Sequence, residues 1–244
     1  MIRGVLALVG NVLLVPLFGG AGLIMSVITR RFHYAHVGAG FWGRAMLWIC
    51  GAKVQIEGRE ILEKNRPAVG VANHTSNLDI YFVCGHAPIP YSIPAKAELF
   101  RIPVLGPVMR GLGMVPLDRS RSARDLRQID KMTELFDKNA ILVFFPEGTR
   151  SRTGRIRRFK KGAFNVAIRH EVPIIPIAIE GAHRIQPAGS WRIRGGPMTI
   201  RVLDPIPTTG LTMDDRDALC DQAYERIVDT LPAEQRPAGA SGEG

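Results

Sequence analysis

Pro67-Ala-Val-Gly-Val-Ala-Asn-His-Thr-Ser-Asn-Leu-Asp79 decides how the rest of the chain is read. Residues 67–72 are apolar and uncharged, a run short enough for a strand buried on both faces. A polar turn follows at once, and an apolar segment opens after it. A strand that passes through a turn into a helix is one unit of an α/β fold. The pattern recurs along the chain. Lys53 to Gly58 alternates in strand fashion, and Ile141–Phe145, Val172–Ile179 and Met198–Leu203 read as further strands. Helical stretches cover Ser122–Lys138, Gly162–His170 and Met213–Leu231. The expectation is a single α/β domain over residues 51–231, with a mostly parallel or mixed sheet flanked by helices. Its site is expected in loops at the carboxyl ends of the strands. Pro173 and Pro176 lie inside the run Val172–Ile179, which predicts an edge strand or a bulge. Residues 232–244, rich in Pro, Ala, Gly and Glu, are expected to form a disordered tail.

Upstream, residues 1–50 read as N-terminal membrane-attachment helices. Ile2 to Thr29 contains one charge, Arg3, and is long enough to reach across a hydrocarbon core of ~30 Å. Pro16 and the Gly19-Gly20-Ala21-Gly22 run interrupt it; a break there leaves two halves each too short to span. A spanning helix, a hairpin dipping into one leaflet and a cleaved signal peptide compete, and the missing small-residue cleavage site argues against the last. Trp42 and Trp48 suit the headgroup level, with Arg30, Arg31 and Arg44 beside anionic lipid. A helix pair packed on the domain is the soluble alternative.

The formal charge of +10 is unevenly placed: from Asp214 onward eight acids face three bases, net −5, which leaves +15 upstream. Such a surface suits anionic lipid or nucleic acid. From Arg150 to Lys161, seven of twelve residues are Arg or Lys and none is acidic, yet Phe159 is the only aromatic there, which disfavours single-stranded nucleic acid. Three cysteines, none in a CxxC pair, argue against a disulfide framework or a thiolate zinc site and favour a reducing compartment.

His74 and Asp79 are five residues apart, so they do not share a face of one helix. They meet if His74 sits on the strand-to-helix turn and Asp79 in the first helical turn. The carboxylate then accepts the imidazole N–H and leaves the other ring nitrogen free as a base. Ser76 and Asp79 also form a capping-box pattern, so Asp79 has a purely structural reading as well. A metal site from His74, Asp79 and His86 is remote, and the expectation is no metal. Phe145-Pro-Glu-Gly-Thr-Arg150 follows another strand. There Gly148 permits close approach, Thr149 offers a hydroxyl and Arg150 a planar fork for phosphate.

In order along the chain stand His74-Thr-Ser-Asn-Leu-Asp79, Gly113-Met-Val-Pro-Leu-Asp-Arg119, Phe145-Pro-Glu-Gly-Thr-Arg150 and Val172-Pro-Ile-Ile-Pro176. Taken together they resemble the four blocks of the glycerolipid acyltransferases, above all the 1-acylglycerol-3-phosphate acyltransferases. Ala95-Lys-Ala-Glu-Leu99 and Phe159-Lys-Lys-Gly162 also match. Pro116 and Leu117 depart from the pattern, where aromatic or β-branched residues are common. The resemblance implies that His74 is the general base and Asp79 its orienting partner, with no covalent acyl-enzyme. It further implies that Arg119 and Arg150 hold the acceptor's phosphate. Lys96, Lys160 and Lys161 are expected as further anion contacts. Glu147 is expected to position Arg or Lys side chains or the glycerol hydroxyl, since a carboxylate beside a phosphate repels it.

The expected reaction moves an acyl group from acyl-CoA or acyl carrier protein to the sn-2 hydroxyl of lysophosphatidate. No cofactor is expected. The expected partners are membrane phospholipid and these substrates, not nucleic acid, and the expected location is the inner (cytoplasmic) membrane with the site facing the cytoplasm. Transfer to another lysolipid, and hydrolysis of a lysophospholipid or thioester by the same pair, are the alternatives.

Overall fold

A computed structural model describes residues 1–117 and 123–238. The N-terminal helix runs through α1 (Ile2–Leu14), a π-helical turn (Val15–Gly20) and α2 (Ala21–Thr29) without a break. A break at Pro16, one of the open possibilities, does not occur. The missing proline donor falls where the helix widens to the π-helical bonding pattern, so the 28-residue rod stays continuous at roughly 42 Å. Arg30 ends it in the left-handed conformation (φ 55°), and α3 (His33–Ile49) folds back along it.

The two arms meet through glycine. A Cβ on Gly22 would lie 2.6 Å from the Tyr34 carbonyl oxygen, and one on Gly38 would lie 2.2 Å from that of Phe18. The backbones thus touch where a side chain would hold them apart. The same rod presents Gly4 to the Trp191 carbonyl and Gly19 to Val108, so one side lies along the domain for most of its length. The opposite side, including Val12, Leu13, Val27 and Ile28, is exposed. Trp48 and Phe41 on α3 are exposed as well. Trp42 is not at the surface belt expected of it: it is half-buried, edge-on to the Tyr81 ring.

After the hairpin come β1 (Ala52–Glu57), α4 (Arg59–Lys64), β2 (Ala68–Ala72) and α5 (Leu78–His86). Next are β3 (Tyr91–Ser92), β4 (Ala95–Lys96), α6 (Leu105–Gly111), β5 (Pro116–Leu117) and α7 (Ala123–Thr133). The chain continues through β6 (Ile141–Phe144), α8 (Gly162–Arg169), β7 (Ile174–Glu180), α9 (Ala182–Ile185), β8 (Gly196–Val202) and α10 (Arg216–Thr230). The main sheet is mixed and six-stranded, ordered β1-β8-β7-β2-β6-β3, and β4 pairs β5 apart from it. All pairs in the main sheet are parallel except β7 with β8.

Both faces of this sheet are covered, which is why its central strands are continuously apolar. On β6, Ile141 and Val143 join the cluster containing α3 and α5, while Leu142 and Phe144 join the one containing α8 and α10. Pro176 does not mark an edge, because β7 lies between β8 and β2. The ladder is irregular in its partner instead. Beyond Val202, the Leu203 N–H reaches the Pro176 carbonyl, and pairing resumes only at Ile174 with Ile206. The missing proline donor falls in that gap.

The tail is also corrected for its described part. Gln235 is buried in a short 3-10 turn, accepts the Gly181 N–H at 3.2 Å and donates to the Ile179 carbonyl. Its own carbonyl accepts the Ile156 N–H at 2.8 Å. These bonds tie residues 232–238 to the end of β7, which composition alone does not register.

Candidate active site

β2 ends at Ala72, and the next residue fastens the turn to the sheet. The buried Asn73 amide donates to the Ile179 carbonyl at 2.9 Å and accepts the Ile179 N–H at 2.7 Å. It therefore imitates a ladder partner for β7 and fixes where the chain leaves the strand. His74 follows at the turn and Asp79 lies in the first turn of α5, as their spacing predicts.

His74 Nδ1 donates to Asp79 Oδ2 at 2.7 Å. A carboxylate only accepts, so the proton sits on Nδ1 and the Nε2 lone pair is left for another group. Among the described residues Nε2 has no hydrogen-bond partner. The His74 side chain keeps 14% of its surface exposed and Asp79 none. The same Asp79 oxygen also accepts the N–H groups of Thr75 and Ser76, at 2.8 and 2.9 Å. The capping reading and the catalytic one thus coincide in one atom. Ser76 Oγ is turned away, donating to the Gln186 carbonyl and accepting the Leu78 N–H.

The loop after β6 grips His74 on three sides. The Phe145 ring stacks on the imidazole with centroids 4.2 Å apart. The Ser151 N–H donates to the His74 carbonyl at 2.8 Å, and Glu147 Oε1 accepts the His74 backbone N–H at 2.7 Å. Glu147 Oε2 accepts the Arg157 N–H at 3.2 Å. Glu147 therefore does not do what was expected of it. It is 3% exposed and holds backbone, not a cationic side chain or a hydroxyl at the surface. Burial pushes its carboxyl up to about 8 against the pull of those two N–H donors, and the nearby Asp79 charge acts in the same direction as burial.

Arg150 is half-buried and donates to Asn77 Oδ1, which brings the two motif loops into direct contact. The sequence motif gives Asn77 no role, and its amide oxygen becomes an acceptor only once the fold brings Arg150 to it. Thr149 Oγ1 accepts from Arg157 at 2.7 Å. Gly148 has φ 76°, and a Cβ there would lie 2.8 Å from Lys160 Nζ, so that ammonium stands over the turn.

Lys161 and Lys96 are not gathered here. Lys161 forms an ion pair with Asp217 on α10, which takes its charge away from the His74 turn. Lys96 on β4 pairs with Glu98 at 2.9 Å, and both are half-exposed. The β4–β5 pairing places Lys96 beside Leu117, two residues before Arg119, which itself lies outside the described residues. His86 ends α5, stacked on Phe82, a helix length from His74, so it is no co-ligand. Part of the basic run is also spent internally: Arg155 donates to the Arg236 carbonyl, and Arg158 lies over the Tyr224 ring.

A buried carboxylate orients a partly exposed imidazole, and an arginine is tied to the same turn through Asn77, a geometry that could deprotonate a hydroxyl. The sequence profile of the acyltransferase family matches residues 53–180, the span that holds every residue of this arrangement. The chain belongs to the acyltransferase family. It is 34% identical over 225 residues to a 1-acyl-sn-glycerol-3-phosphate acyltransferase of Limnanthes douglasii, covering 90% of this chain and 79% of that one. A chloroplastic 1-acyl-sn-glycerol-3-phosphate acyltransferase of Arabidopsis thaliana is 36% identical over 210 residues, 86% of this chain and 57% of its own. The crystal structure of the 1-acyl-sn-glycerophosphate acyltransferase PlsC from Thermotoga maritima is similar throughout, with a TM-score of 0.80 at 25% identity, covering 93% of this chain and 92% of that one. In this acyltransferase the motif loops therefore stand on a fold shared over nearly the whole chain.

Proposed function

We propose that this acyltransferase moves a fatty acyl group from a thioester, acyl-CoA or acyl carrier protein, to the sn-2 hydroxyl of lysophosphatidate, making phosphatidate. The observation that carries the proposal is the His74–Asp79 pair, oriented at 2.7 Å and braced by the Phe145–Ser151 loop that also delivers Arg150.

The acceptor's phosphate docks on Arg150, with Arg119 and Lys160 as its further contacts. Its hydroxyl lies against His74 Nε2, which removes the proton as the oxygen attacks the thioester carbonyl. The C–O bond forms, the tetrahedral oxyanion collapses, and the C–S bond breaks. His74 returns its proton to the departing thiolate. The buried Asp79 stabilises the imidazolium formed between those steps. No step in this sequence calls on a metal or a redox group. Gly148 and Thr149 shape the phosphate turn, and Glu147 supports it from beneath.

The apolar rod and the exposed faces of Phe41 and Trp48 attach the enzyme to phospholipid, where both acceptor and product reside. The location proposed is the inner (cytoplasmic) membrane, with the site on the cytoplasmic side where thioester donors are made. Supporting this, Cys50, Cys84 and Cys220 are buried free thiols.

The test is a detergent-micelle assay with labelled acyl-CoA and lysophosphatidate, wild type beside His74→Ala. Phosphatidate from wild type alone supports the proposal. Free fatty acid as the product reassigns the pair to hydrolysis, and equal turnover by both proteins removes His74 from the mechanism.

A further inference from the structure

The α5 helix has His74 and Asp79 at one end and a second charged site at the other. There an open cavity of about 600 Å³ is lined by Arg44, Arg59, Glu63, Arg66, His86 and Ile89, among others. Three guanidinium groups face one carboxylate, an excess of two positive charges with His86 neutral. Arg44 uses one N–H on the Gly85 carbonyl at 2.8 Å and Arg66 uses one on the Ile89 carbonyl at 2.8 Å. Each guanidinium has five donors, so most remain unused. Arg66 Nε is buried with no partner among the described residues. His86 is held below its usual range by burial, then by Arg44 and Arg59, as expected where the local field is positive.

The rim of this bowl joins the apolar surface of the hairpin. The Arg44 guanidinium lies 5.1 Å above the Phe41 ring, Phe41 is 51% exposed, and its ring stacks on Phe18 of the N-terminal rod. A ligand held here would have its charge in the bowl and its apolar part along α3 and the rod.

We infer that the bowl between α3, α4 and the end of α5 binds the phosphate of an anionic lipid headgroup, separately from the acceptor site at His74. The inference rests on the reading that the hairpin attaches the enzyme to membrane. The excess of two positive charges matches a phosphate monoester dianion, and the open shape admits a headgroup whose chains stay outside. Glu63, paired with Arg59 at 3.0 Å, is the one opposing charge in the bowl.

That pair supplies the test. Full-length protein is floated with vesicles of phosphatidylcholine alone and of phosphatidylcholine with phosphatidate. Arg59→Gln is expected to lower partition onto the phosphatidate vesicles about five-fold, and Glu63→Gln to raise it by a similar factor. A merely structural ion pair would give both variants the same sign. Arg169→Gln and Asp130→Asn, which change the net charge equally at a pair on another face, are expected to move partition much less. Equal effects from these controls would overturn the proposal in favour of general charge. Identical binding of wild type to both vesicle types would also overturn it, while leaving membrane attachment intact. No binding to either would remove the attachment reading and this inference with it. Calorimetric titration with inorganic phosphate separates the sources: a phosphate affinity lost in Arg59→Gln, with vesicle partition unmoved, would reassign the bowl to a soluble phosphate compound.

Discussion

Asp79 Oδ2 accepts three hydrogen bonds, from His74 Nδ1 at 2.7 Å and from the N–H groups of Thr75 and Ser76. One oxygen therefore sets both the path of the turn and the tautomer of the base. His74→Ala is expected to lower kcat by ~10²–10⁴-fold, with far less effect on acceptor KM. Asp79→Asn can keep an oxygen toward the three donors, but it loses the charge that stabilises the imidazolium and buries an NH2 where Oδ1 has no partner among the described residues. The expected result is a kcat loss of the same order, together with a lower melting temperature that His74→Ala does not share. Steady-state assays beside thermal melts check both; a fully active Asp79→Asn would show that the carboxylate only caps the helix.

Glu147 makes a prediction about pH. Its carboxyl is raised in the folded state to about 8 from an ordinary value near 4.5. Between those values the folded chain binds a proton that the unfolded chain has released, so stability falls as pH rises through this window and levels off above it. Each unit of such a difference is worth ~1.4 kcal/mol. Melting temperatures measured across the window are expected to decline in the wild type and to decline less in Glu147→Gln, which carries no titratable group there. Parallel curves for the two proteins would show that the two N–H donors keep Glu147 ionised.

The strands and the motif turn were legible because their determinants are local. Uncharged runs such as 68–72 and 141–144 are buried on both faces, and the strand-to-helix spacing allowed His74 to meet Asp79, a reading that the ordered motifs favoured over simple capping. What was not legible depends on residues distant in sequence. Glu147 reads as an odd charge in a phosphate loop until the fold sets His74, 73 residues away, against it. Lys161 looks equivalent to Lys160 until α10 brings Asp217 to it. Gln235 looks like tail composition until the end of β7 presents Gly181 and Ile179. Pro16 breaks an ordinary helix, and only the π-helical turn lets this one continue.

Arg150 and Asn77 form a direct side-chain hydrogen bond between the two motif loops. Arg150→Lys keeps the charge but loses the planar fork, so it cannot hold Asn77 and a phosphate together. Hydrogen bonds to a charged group contribute about 1.5–3 kcal/mol, which corresponds to a rise in lysophosphatidate KM of roughly 10–150-fold. The thioester KM should stay near wild type. Equal changes in both KM values would place Arg150 in the scaffold instead of the acceptor site. Asn77→Ala is expected to reproduce a smaller part of the same acceptor-specific effect.

The N-terminal rod separates packing from attachment on its two sides. Leu13 and Val27 are exposed, at 61% and 71%, so a longer polar side chain has room to point outward. Lysine at such a position costs roughly 2.5–3.5 kcal/mol if it must enter hydrocarbon, and less if it reaches the headgroups. The double variant Leu13→Lys, Val27→Lys is expected to leave circular dichroism and micellar activity near wild type while abolishing flotation with vesicles. Gly22→Leu should do the reverse in its first effect. A Cβ there already meets the Tyr34 carbonyl at 2.6 Å, so the side chain forces α3 away and lowers thermal stability before it alters the exposed face. If the double lysine variant floats like wild type, the exposed face does not lie in lipid, and attachment must come from Phe41, Trp48 and the arginines around them.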